Sequence, residues 1–186
     1  MTAEGLERAW VVSRAIVANV TPDQLHESTP CQSWDVHDLL NHMIEVTALT
    51  EAWFAKGKAE HPERDYAEGD YLATFDAGVA SGLAAIRAPG GMEGDVELSF
   101  GALPKPAWLG MITTDAFIHA WDLAKATGQA TDLDPELAAE LLEQSRMFIQ
   151  PAFRGDDGVM PFGPEQPAPA GASKADELGA FLGRTV

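Results

Sequence analysis

TPCQSWDVHDLLNHMI, residues 29–44, passes from a turn into a helix within a few residues. Thr29-Pro30 holds the chain extended, and Ser33 or Asp35 stands where a helix cap belongs. Val36, Leu39, Leu40, Met43, Val46 and Leu49 then recur at three- and four-residue spacing, which predicts a helix to about Lys56. His42 falls inside that run, among apolar neighbours. A second stretch, TDAFIHAWDLAKATGQ at residues 114–129, does the same with His119. It lies in a helix expected over about 107–127, preceded by Pro104 and Pro106 and stopped by Gly128.

The flanking sequence supplies further helices of the same kind. Leu6, Trp10, Ser13, Ile16, Val17 and Val20 predict one over roughly 4–19, ended by Thr21-Pro22. Residues 57–69 are charged and carry Gly and Pro, as a surface loop does. Tyr71, Phe75, Val79, Leu83 and Ile86 give another helix, ended by Pro89-Gly90-Gly91. DVELSF, 95–100, reads as a short extended piece. Asp134-Pro135 opens a helix over about 135–150. Residues 151–172 are rich in Pro and Gly and read as irregular, and Ser173 with Asp176 forms a capping pattern before a last short helix at 174–183. The expected fold is all-α: one domain over 1–186, with an up-down helical bundle in 1–150 and an irregular tail in 151–186.

The chain has 186 residues, 29 acidic against 12 basic side chains, and a formal charge of −17. Such a surface repels nucleic acid and anionic lipid. No apolar run reaches the ~18 residues of a membrane span, and the polar N-terminus carries no secretion signal. A cytoplasmic location is expected. The single cysteine, Cys31, excludes an internal disulfide and a four-cysteine zinc site. It reads as a small residue packed at a helix entrance, with nucleophile (His37 six residues on) as the alternative.

Buried imidazoles need hydrogen-bond partners or a metal. Asp115 lies four residues before His119, so carboxylate and imidazole share one helix face. With His42 from a facing helix, three N/O ligands can converge on one cation and leave coordination positions open. Chance alone puts an acid four residues before a histidine about once in such a chain. Here it occurs twice, since Asp38 precedes His42 in the same way. Asp38 reads as a residue that orients His42 from behind, and Asp122, one turn after His119, as its counterpart. Trp34, Trp53, Trp108 and Trp121 read mainly as core or rim aromatics. No GxSxG elbow, GxGxxG turn or phosphate-binding GKS/GKT is present.

Together the two stretches resemble the signatures of the DinB-like metal-binding superfamily. More closely, they resemble the branch holding the N-terminal domain of mycothiol-dependent maleylpyruvate isomerase. The ending FGPEQPAPAGASKADELGAFLGR, 162–184, is similar to the tail of an uncharacterised actinobacterial-type metal-binding subfamily. The resemblance implies a DinB-like four-helix bundle with a divalent metal between helices, zinc first and nickel or another ion as alternatives. It implies His42, Asp115 and His119 as ligands. Asp115 stands where the isomerase has glutamate, a reach about one methylene shorter. The isomerase also has a separate catalytic C-terminal domain; the different tail here carries the expectation that this domain is lacking and that the reaction is another one. A homodimer is the assembly the superfamily suggests.

Three functional readings follow. In the first, the protein is a metal-dependent transferase or isomerase whose open coordination position takes a low-molecular-weight thiol, mycothiol by resemblance, beside a small-molecule substrate. In the second it is a metal-activated hydrolase, with Glu45 as candidate base. In the third it binds metal or ligand without catalysis.

Overall fold

The structure, a computed structural model, describes residues 1–156 and 159–186. Six α-helices lie among them: α1 (Ala3–Val17), α2 (Val36–Lys56), α3 (Tyr71–Arg87), α4 (Lys105–Ala126), α5 (Pro135–Phe148) and α6 (Lys174–Phe181). Two short strands, β1 (Asp95–Leu98) and β2 (Gly101–Pro104), pair antiparallel between α3 and α4. The architecture is mainly helical, as the periodicity predicts. Of the expected irregular tail, residues 157–158 lie outside the described residues.

Capping chemistry fixes where α2 starts. Asp35 accepts the Asp38 backbone N–H at 3.0 Å, and the Asp38 carboxylate accepts the Asp35 N–H at 3.3 Å. At the other end Gly57 takes the left-handed conformation (φ 75°) and stops the helix. Asp134 accepts from the Leu137 N–H ahead of α5, and Ser173 with Asp176 repeats the reciprocal cap before α6. α4 begins two residues before the expected start. Pro106 sits inside its first turn, where a missing N–H costs nothing.

α1 and α2 each pack against both α3 and α4, while α5 and α6 pair with each other and α6 reaches α4. α4 is the central element. Residues 116–124 are buried without a break, so this helix is apolar nearly all round and has neighbours on every side. Ser13 on α1 ties the two helices together, its hydroxyl donating to Ala116 O at 2.9 Å. Trp10, Leu39, Leu40, Phe54, Phe75, Phe117 and Trp121 are among the large side chains the core encloses.

Two segments differ from the sequence expectation. Of the expected extended piece 95–100, only DVEL is a strand: Ser99 and Phe100 form the turn of a hairpin whose second strand, GALP, has no β-branched residue and ends in proline, so neither propensity nor length marks it. Val96 is fully buried between exposed Asp95 and Glu97. The charged 57–69 loop is not merely superficial. Tyr66 is buried, its backbone N–H donating to Asn41 Oδ1 at 2.7 Å, and Asp65 meets His37 Nε2 at 2.9 Å, so the loop docks onto α2. Among the described residues no helix is long and apolar enough to cross a membrane.

α2 and α3 approach closely at Gly78. A Cβ there would lie 2.7 Å from the Thr47 carbonyl carbon and 2.8 Å from Ala48 N, both backbone atoms that cannot swing away. Gly78→Ala is expected to lower unfolding free energy by about 1–3 kcal/mol despite its better helix propensity. Urea denaturation would check it; a stabilised variant would show that the two helices separate easily.

Candidate metal centre

Three elements converge on the face that α2 and α4 share. α2 supplies His42, seven residues beyond its cap. α4 supplies Asp115 and His119, one turn apart, and Asp122 on the following turn. The 29–35 turn that leads into α2 supplies Cys31 and Trp34.

The sequence-predicted triad meets. His42 Nε2 lies 3.2 Å from each oxygen of Asp115, and His119 Nε2 lies 3.4 Å from Asp115 Oδ1. The two imidazole centroids are 4.9 Å apart, with planes at 81°. One ligating atom from each residue falls within 4.8 Å of the others. The side chains grade from outside to inside: Asp115 is 32 % exposed, His42 26 % and His119 10 %. The cluster thus opens to solvent on the Asp115–His42 side and is closed behind His119. Two imidazole nitrogens and one carboxylate facing a common point, with one side open, are a donor set suited to a divalent ion that keeps an exchangeable position.

Behind His119 stands a second layer. Asp122, fully buried, brings Oδ2 to 3.0 Å from His119 Nδ1. In the neutral ring, a Nδ1–H donated to that carboxylate leaves Nε2 as a lone pair on the triad side. Asp122 Oδ2 also accepts from the Cys31 thiol at 3.3 Å. Arg184, from the chain after α6, sends Nε and Nη2 to the two Asp122 oxygens at 3.1 and 2.9 Å, and Nη2 also reaches Cys31 Sγ at 3.4 Å. Trp34 covers both imidazoles, its ring centroid 4.9 Å from that of His42 and 5.5 Å from that of His119.

These contacts set the charges of the cluster. Burial pushes the Asp115 carboxyl up, but the two imidazoles outweigh it and hold it well below the usual carboxylate range. Burial disfavours a charged His119, yet Asp115, with Asp122 and Cys31, raises its pKa well above the ordinary value. Burial likewise pushes the Asp122 carboxyl up, but the His119 hydrogen bond and Arg184 outweigh it and hold it below the usual carboxylate range, while Asp122 keeps Arg184 charged.

Among the described residues two further groups of ligating side chains come together. Cys31, His119 and Asp122 form one, but the Arg184 guanidinium already contacts two of its three members and supplies the positive charge there. Asp35, His37 and Asp38 form the other, at the start of α2, where both carboxylates accept backbone N–H groups. Asp38 therefore stands in the helix cap, and no bond from it to His42 is seen among the described residues. Glu45 Oε1 lies 3.3 Å from His61 Nδ1, on the exposed side of α2. His26, exposed, sits 3.3 Å from Asp35. Cys31 is packed at the helix entrance as expected, and it also touches the centre. Trp34, expected as a core or rim aromatic, lies against both imidazoles, and Arg184 is a neighbour of the cluster that sequence reasoning does not single out. The arginine lies 62 residues from Asp122, too far for any spacing pattern to connect them.

The family model described as the mycothiol maleylpyruvate isomerase N-terminal domain matches residues 6–124. Two uncharacterised proteins of Mycobacterium tuberculosis, from strains CDC 1551 and H37Rv, are each 42 % identical over 180 residues, covering 97 % of this chain and 96 % of theirs. No solved structure matches.

Replacing Asp122 by Asn leaves a buried guanidinium without its counter-charge. The metal-free protein is expected to lose about 3–5 kcal/mol of stability near neutral pH. Because the native carboxyl titrates below its unfolded value, this contribution is complete above about pH 4 and is lost as pH falls through the lowered native pKa. Urea unfolding with chelator at pH 6 and pH 3 should show the gap between wild type and variant narrowing in acid.

Proposed function

Because the chain belongs to the mycothiol maleylpyruvate isomerase N-terminal domain family, we propose that it is a metal-dependent protein of thiol chemistry, a transferase or an isomerase. His42, Asp115 and His119 are its metal ligands, and zinc is the ion that best suits two imidazoles and a carboxylate. The observation that carries this reading is the approach of both Nε2 atoms to one carboxylate on the solvent-open side of the cluster. When bound, the ion would supply Lewis acidity that holds a coordinated thiol as thiolate, a nucleophile at neutral pH. The family's name suggests mycothiol as that thiol. The packing of α1 and α2 on both α3 and α4 supports the finer fold reading, a DinB-like up-down four-helix bundle.

The chain's own residues have assignable tasks. Asp122 accepts a hydrogen bond from His119 Nδ1–H and so selects the neutral tautomer that presents Nε2. Trp34 lays an apolar wall across both rings, which excludes water from one side and orients what approaches from the other. The exposure of Asp115 and His42 sets the direction of entry for a small-molecule substrate. A protein working on such substrates in the cytoplasm is the setting we propose.

Ligation requires neutral His119, and that residue holds its proton more tightly than an ordinary histidine in the metal-free form. Zinc binding at pH 7 is therefore expected to release a proton, and affinity should fall as pH is lowered. Titration calorimetry in buffers of different ionisation enthalpy reads that proton directly. His119→Ala and His42→Ala should each weaken zinc by more than the roughly 10–100-fold typical of losing a residue behind the ligands. In the cobalt-substituted protein, added thiol should produce a sulfur-to-metal charge-transfer band. Metal binding with no thiol band would favour a water-bearing, hydrolytic site, and equal metal content in wild type and His119→Ala would remove the site altogether.

A further inference from the structure

The family match ends at residue 124, yet the innermost layer of the centre is completed from residue 184. We propose that Arg184 is a positioning residue for the metal centre: it clamps Asp122, and Asp122 in turn holds His119 with Nε2 directed at Asp115. The inference rests on the metal reading above and extends it to a part of the chain outside the family's common domain.

The geometry is that of a planar fork on a carboxylate. Nε and Nη2 take one oxygen each, at 3.1 and 2.9 Å, an arrangement that fixes the plane of the carboxylate as well as its position. Asp122 Oδ2 receives three partners, Arg184 Nη2, His119 Nδ1 and the Cys31 thiol, at 2.9, 3.0 and 3.3 Å. Loss of the fork frees the carboxylate to rotate, and the imidazole it holds rotates with it. Asp122 is fully buried and Arg184 is 12 % exposed, so solvent does not substitute for either partner.

The arginine is itself held in place. Its backbone N–H donates to Gly179 O at 2.9 Å, and its Nη1 donates to Leu182 O at 3.1 Å. Gly183 adopts φ +100°, a conformation L side chains rarely take, and lies where a Cβ would be 2.6 Å from Gly163 Cα. This turn brings the chain back from the end of α6 toward α4. α6 is docked beside it, with Asp176 accepting from Trp121 Nε1 at 2.8 Å and Gly179 lying against the Trp121 indole. The C-terminal segment is thus a wall of the site.

The test compares zinc affinity, by chelator competition, and the cobalt d–d spectrum among wild type, Arg184→Gln, Arg184→Lys, Asp122→Asn and the Arg184→Gln/Asp122→Asn double variant. Arg184→Gln is expected to bind zinc about tenfold more weakly, with shifted cobalt bands, because a removed outer partner typically costs 10–100-fold. Arg184→Lys, which keeps the charge and loses the fork, should fall between the two. If the arginine acts through Asp122, the double variant binds no worse than Asp122→Asn, to within about twofold. An Arg184→Gln protein with wild-type affinity and spectrum overturns the proposal, as does a double variant that loses the product of the single effects. Should Arg184→Gln fail to fold, Arg184→Lys decides, and wild-type values in both readouts overturn it. Wild-type protein that binds neither zinc nor cobalt overturns the metal reading, and this inference falls with it.

Discussion

A carboxylate with no exposed surface has to be answered by its neighbours, and Asp122 is answered from three directions: by an imidazole on its own helix, by a thiol from the 29–35 turn and by a guanidinium from the segment after α6. An unpaired charge in such surroundings would cost several kcal/mol. The partners are therefore not interchangeable decorations. Their positions fix where the turn before α2 lies, how α6 docks on α4, and which way His119 faces.

The rest of the centre follows from α4 being buried on nearly all sides. A helix in that position can offer polar groups on more than one face without exposing them. Asp115 and His119 face α2 and the opening, while Trp121 and Asp122 face α6 and the tail. Unequal surroundings then separate the tasks of two carboxylates only two turns apart. Asp115 remains partly wet and sits between two imidazoles, and Asp122 is dry and committed to hydrogen bonds.

Much of this was legible in the sequence because it is local. Helical periodicity placed His42, Asp115 and His119 on helices, and one-turn spacing placed acid and imidazole on a common face. Capping residues marked the starts of α2, α5 and α6 to within a residue. What the sequence hid is either non-local or weakly patterned. GALP carries no strand propensity and is a strand only because DVEL lies beside it. Asp38 has the same spacing to His42 as Asp115 has to His119, but the helix cap claims its carboxylate. Spacing cannot register that competition, because it is settled by which backbone N–H groups are left free. Arg184 pairs across 62 residues, a distance over which no periodicity runs.

That long pairing bears on how the protein is made. A chain emerges from the ribosome N-terminus first, and its early helices can form before the last ones exist. While α4 is already out and residue 184 is still to be added, Asp122 lacks the partner that lets it lie dry. The nascent bundle must keep that side of α4 wet or loosely covered until Arg184 arrives. Closure of this part of the interior therefore waits on the segment that follows α6.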